Sequence, residues 1–131
     1  MAIQLSAKVR NARLDAIETQ IGTAPVFELR TGAQPANCAA ASTGNILVQQ
    51  SLPSDWLNAA ASGQITKAGT WSSTAVGGSA DTAGHFRIYR SGSPSECDIQ
   101  GDVSDDMTVD GAITVGQTVT VSTFTLTDGN A

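Results

Sequence analysis

Residues 117–127 read QTVTVSTFTLT, and the apolar phase of this stretch decides the fold. Val119 and Val121 fall on one face of a strand, whereas Phe124 and Leu126 fall on the other, because the phase slips between Val121 and Phe124. Side chains alternate along a strand with a period of two, so a slip predicts a bulge, a bend, or burial on both faces in turn. Long strands of this kind belong to two-sheet sandwiches, and the expectation here is a strand running from one sheet toward the other. The stretch holds no group that does chemistry. It speaks for architecture and against an enzyme, and its threonines suit a surface shared with neighbours.

Outward from this strand, the same alternation recurs. Residues 82–90, TAGHFRIYR, place Phe86 and Ile88 inward and His85, Arg87 and Tyr89 on the opposite face. After a turn at 91–95, residues 96–103 place Cys97, Ile99, Gly101 and Val103 on one face and Glu96, Asp98, Gln100 and Asp102 on the other. Further strands are expected at 25–30, 45–52 (ended by Pro53) and 64–71, with short ones at 107–109 and 112–115. Residues 31–44 and 72–81 read as loops, and 53–61 as a turn or one short helix anchored by Trp56 and Leu57. One longer helix is expected near the N-terminus: Ser6 can cap it, Leu14, Ile17 and Ile21 recur at helical spacing, and Gly22 stops it. Lys8, Arg10 and Arg13 lie early in this helix and Asp15 and Glu18 late, the order that the helix dipole disfavours. These bases, the only positive patch of the chain, suggest a segment that meets an acidic partner, the alternative being a solvated face. The domain reading is an N-terminal arm and helix at 1–22 followed by a single β-sandwich domain at 23–131.

The 131 residues suffice for one domain with a hydrophobic core, and only 15% of them are charged. The net charge of −5 argues against nonspecific binding of DNA or RNA, which requires clustered Lys and Arg. No stretch approaches the roughly 20 apolar residues of a membrane span. MAIQLSAKVRNARL lacks the apolar region of a secretory signal, so the chain is expected to be made and retained in a cytoplasm, with Cys38 and Cys97 as reduced thiols.

Catalytic constellations are wanting. The sole histidine, His85, sits in mid-strand with no nucleophile motif beside it. Cys97 reads as a small core residue, and Cys38 as part of a tight turn packed under the sheet. Asp102, Asp105, Asp106 and Asp110 crowd one turn, yet the calcium-loop spacing and its terminal Glu are absent, which leaves a solvated acidic turn as the simpler reading. Trp56, Trp71 and Tyr89 would form a sugar-stacking platform if coplanar and exposed; as core anchors they would not. No cofactor is expected, since phosphate-binding and nucleotide motifs are missing.

FELRTGAQPANCAAASTGNILVQQSLPSDWL, TAGHFRIYR, CDIQGDV and GQTVTVSTFTLTDG together span most of the chain. In these segments the chain resembles a family of small structural proteins in the virions of tailed bacteriophages, some of which look like capsid cement or decoration proteins with jelly-roll folds. The most distinctive piece is R-T-G-x-x-P-A-N-C, followed by a strand and L-P-S-D-W. Taken with the strands and helix read above, the jelly-roll folds that the resemblance brings in give the expected fold: mainly β, a jelly-roll-like two-sheet sandwich with one N-terminal helix. It implies a non-enzymatic protein on the capsid exterior, assembled in the bacterial host cytoplasm. Its partner would be the major capsid protein, with self-association as a dimer or other small oligomer, and neither nucleic acid nor membrane. Lys8, Arg10 and Arg13 are the candidate partner contacts, with the 31–44 loop next. The alternatives are a tail, neck or fibre-base virion module, or a carbohydrate- or receptor-binding module.

Overall fold

The structure, a computed structural model, describes residues 3–92, 95–104 and 107–129. Within them, one helix precedes two antiparallel sheets that pack face to face as a β sandwich.

Helix α1 (Ala7–Ile21) begins and ends where its capping residues dictate. The Ser6 hydroxyl accepts from Val9 N at 3.3 Å, and Gly22, at φ 95°, turns the chain away while its N–H donates to Glu18 O. Leu14 and Ile21 are buried in the core, and Ile17 packs against it. The late acids that looked misplaced have a local use. Asn11 Oδ1 accepts from Gly63 N at 2.8 Å, Asp15 Oδ1 accepts from Ala60 N at 2.8 Å, and Glu18 Oε1 accepts from Trp56 N and Leu57 N at 3.2 and 3.3 Å. One helix face therefore satisfies the backbone of the strap at 55–63. This is why the strap does not form the short helix that the sequence allowed: its N–H groups are already taken by α1, and Asn58 N by Thr66 O at 2.8 Å.

The first sheet has the order β2-β1-β5-β6 and comprises β1 (Val26–Arg30), β2 (Ile46–Ser51), β5 (His85–Tyr89) and β6 (Cys97–Asp102). The second is built around β8 (Thr118–Thr127). Trp71–Thr74 (β4) pairs with its first part, Met107–Val109 (β7) with its middle, and Gln64–Thr66 (β3) with its end. The single strand expected at 64–71 is thus divided, with Gly69 at φ 71° in the break. The loop expected at 72–81 begins later than predicted, because Ser72–Thr74 pair with β8 and Ser72 Oγ meets Thr120 Oγ1 at 3.1 Å.

The phase slip in β8 is a bulge. Thr108 faces Thr123 but Val109 faces Val121, so Ser122 is the extra residue. It rotates the strand by one position, and Val119, Val121 and Phe124 all reach the same core, with Leu126 packed against it. The expected passage from one sheet to the other does not occur, since β8 pairs only within the second sheet. The two sheets meet through aromatic rings. Trp71 lies 5.7 Å from Phe27 and 5.0 Å from Phe124, and Phe86 meets Phe124 edge-on at 5.4 Å. Burying a side chain of this size contributes roughly 1.5–3 kcal/mol, so this cluster supplies much of the adhesion between the layers.

Candidate functional site

The polar face of β5 is where the structure departs most from an ordinary half-exposed strand. All of His85–Tyr89 is buried, including Arg87 at 2% exposure. Phe86 and Ile88 face the core as the alternation predicts. His85, Arg87 and Tyr89 point the other way but do not reach solvent, because the 31–45 connection between β1 and β2 folds back over the first sheet as a roof.

Side chains of three strands hold this roof by its backbone and one hydroxyl. His85 Nδ1 lies 2.9 Å from Gly32 O, Gln100 Nε2 donates to Pro35 O at 2.8 Å, and Arg30 Nη1 donates to Gly44 O at 3.2 Å. Arg87 Nη2 donates to Cys38 O at 2.8 Å and its Nη1 to Ser42 Oγ at 2.7 Å; Ser42 Oγ also lies 2.7 Å from Tyr89 Oη. The seat is tight at Gly84, where a Cβ would lie 2.1 Å from the carbonyl oxygen of Gly32. Glu28, buried beside Arg87 in the sheet register, is bound by Arg30 at 2.9 Å and Gln49 at 2.7 Å. Among the described residues Arg87 therefore forms no salt bridge, and its guanidinium rests on neutral acceptors and above the Tyr89 ring.

A cleft of about 490 Å³ opens at the roof's edge, between residues 38–42 and the strand ends at Tyr89 and Cys97. Both cysteines line it. Cys97 is not a core residue, as the alternation suggested. The β5–β6 register passes from Ile88–Ile99 to Tyr89–Cys97, so Asp98 is bulged and Cys97 is turned to the roof side. There its sulfur accepts from Arg87 Nε at 3.2 Å and lies 3.2 Å from Ile99 O, and Cys38 lines the same cleft. Burial pushes the Cys97 thiol up to about 11, outweighing the opposing hydrogen bond from Arg87, so at neutral pH it is a poor nucleophile. Beside the cleft Arg90 is held by Asp98 at 2.9 Å and by Glu96 at 3.4 Å.

The other expected site residues fall elsewhere. Arg13 pairs with Asp128 at 3.1 Å, Arg10 lies against Gly63, and Lys8 is exposed near the start of α1. The structure does not bring these bases together with the roof. Trp56 and Trp71 are fully buried, with their indole N–H groups bonded to Gly22 O and Ala68 O, so neither can offer a face to a sugar ring. Asp102 accepts from Ser104 N and Oγ at 3.0 Å, which holds its carboxyl below the usual range, and Asp110 accepts from Thr120 N at 3.0 Å. Asp105 and Asp106 lie outside the described residues, as do Met1, Ala2 and the Ser93-Pro94 part of the predicted turn. Among the described residues no three His, Cys, Asp or Glu side chains gather as a metal site, and no helix is long and apolar enough to cross a membrane.

The roof was missed in the sequence, although a signal was present. His, Arg and Tyr on one face of a strand, next to a long connection of small residues, is a set of donors facing a backbone that needs them. In comparisons with known proteins, no family model matches the chain, and neither a curated protein nor a solved structure matches it.

Proposed function

We propose that this chain is a non-enzymatic virion structural protein, a cement or decoration protein that binds the outer surface of the shell formed by the major capsid protein. The observation that carries the reading is the outer face of the second sheet. Thr66, Thr74, Thr108, Thr118 and Thr123 are exposed there, and none carries a charge. Such a face costs little to desolvate, and short hydroxyl side chains lose little entropy on docking. A sandwich of this kind is also compatible with the jelly-roll folds of decoration proteins. Exposed Val76 and Val115, on neighbouring turns, add apolar contact at one end. Self-association and a second contact through Lys8 belong to the same proposal. Many equivalent lattice positions would let modest individual contacts add through avidity.

The test is addition of the purified chain to heads that lack it. Copy numbers close to that of the capsid subunit are expected, and binding to tails alone would overturn the reading. Thr123→Arg, on the exposed hydroxyl face, should reduce head occupancy roughly tenfold while leaving the fold intact. Lys8→Glu is a cleaner probe of the N-terminal contact than deletion of 1–13, because deletion also removes Asn11 and Arg13, which hold α1 to the body.

A further inference from the structure

We propose that Cys38 and Cys97 form a reversible disulfide latch, closed by a low-molecular-weight disulfide, that locks the 31–45 roof onto the first sheet. The inference goes beyond the structural role proposed above and does not depend on it.

The two thiols belong to the two parts that the latch would join. Cys38 lies in the roof and Cys97 at the start of β6, an edge strand of the sheet beneath. They stand 59 residues apart in sequence, yet both line the cleft and both are bonded to Arg87. Both are half-buried, so a small oxidant can reach them. Arg87 fixes their mutual position, donating through Nε to Cys97 Sγ and through Nη2 to Cys38 O. This guanidinium forms no salt bridge among the described residues, and its hydrogen bond to Cys97 favours the thiolate there.

The chemistry divides between the two residues. Cys97 holds its proton tightly in its buried place, so Cys38 starts the exchange. The Cys38 thiol loses its proton to solvent, and its sulfur attacks the small disulfide R–S–S–R. One S–S bond forms, the other breaks, and R–S⁻ leaves and takes up a proton. Cys97 then gives up its proton to solvent as its sulfur attacks the Cys38 sulfur. The protein disulfide forms, and a second R–S⁻ departs to be protonated as R–SH. Two protein thiols are oxidised and one small disulfide is reduced to two thiols. A small dithiol reverses the sequence.

The test uses the full chain incubated with oxidised glutathione. Alkylation in denaturant should show both thiols lost together, and proteolytic fragments should contain Cys38 joined to Cys97 in a chain that remains monomeric on a non-reducing gel. Cleavage of the native protein within 31–45 should slow roughly tenfold or more, because the closed loop restricts local opening, and dithiothreitol should restore the original rate. Cys38→Ser, a change in the roof, should leave Cys97 unmodified by glutathione. A lasting glutathione adduct on Cys38, disulfide-linked dimers, rapid modification of Cys97 in Cys38→Ser, or unchanged cleavage of the oxidised chain would each overturn the proposal.

Discussion

The outer faces of the two sheets begin from the same kind of sequence and end in opposite environments. On the first sheet, His85, Arg87, Tyr89 and Gln100 alternate with core residues and are covered by the 31–45 roof. On the second, Thr108, Thr118 and Thr123 alternate with core residues and remain exposed. The difference follows from what the connections can do. The 31–45 connection is long enough to cross its sheet, and its carbonyls are met by donors that reach well above the sheet plane. The hydroxyls of the second sheet are short and bond sideways to each other, as in the Thr123–Thr108 contact at 2.7 Å. Alternation thus locates the outward face but not what lies on it. The long donors of the first sheet hold a cover, whereas the short ones of the second leave a face that a partner can use.

The sharpest way to break this comparison is at Arg87. Arg87→Met should destabilise the fold by about 2–4 kcal/mol, because it removes a charged donor from Ser42, Cys38 O and Cys97 together. The midpoint of denaturant unfolding measures this, and a loss comparable to that at an exposed threonine would mean that the roof is not held as described. Gly101→Ala comes next. Its Cβ would lie 2.8 Å from the buried Phe86 ring, and the expected cost is about 1–3 kcal/mol by the same measurement. Glu18→Ala should cost about 1–2 kcal/mol by freeing two backbone donors of the strap, and Glu18→Gln, which keeps an acceptor oxygen, should recover most of it.

A smaller signal is expected in the pH dependence of the reduced protein. The Cys97 thiol is raised from 9.0 to about 11 in the folded chain, so between these values the folded state binds the proton more tightly than the unfolded one. The stabilisation that this represents is fully present below pH 9.0 and is lost as the pH rises toward 11. Cys97→Ser should remove that segment of the pH–stability curve. Smallest of all, Thr123→Ala on the bare face should change stability by no more than about 0.5 kcal/mol, and a larger loss would mean that this face also does structural work.

Much of the scaffold was legible because it rests on local chemistry. Ser6 and Gly22 bound α1 whatever the rest of the chain does, and Phe86 and Ile88 follow the period of a strand. Two stretches were misread for a common reason. In β8 and in β6 a bulged residue shifts the alternation by one, which brought Phe124 into the core and took Cys97 out of it. Sequence alone shows the slip in β8, since an apolar pair changes phase. In β6 it shows nothing, because Cys97 is apolar enough for either face. The acids of α1 illustrate a further limit. Their order opposes the helix dipole, a penalty of about 0.3–1 kcal/mol each at most. It is outweighed by hydrogen bonds to a strap 38 to 45 residues away in sequence, a partner that no local pattern can show.

What the sequence by itself determined is therefore the class of the fold, the cap-to-cap extent of the helix, and which strand faces are apolar. These depend on backbone periodicity and on contacts within a few residues. The tertiary structure alone decided that Arg87 lies under a roof, that Arg13 is tied to Asp128, and that two cysteines from distant segments line one cleft. The first and last of these depend on where the 31–45 connection comes to rest. That is set by the match of buried donors to acceptors across the sheet, a condition met only when all of its members are assembled.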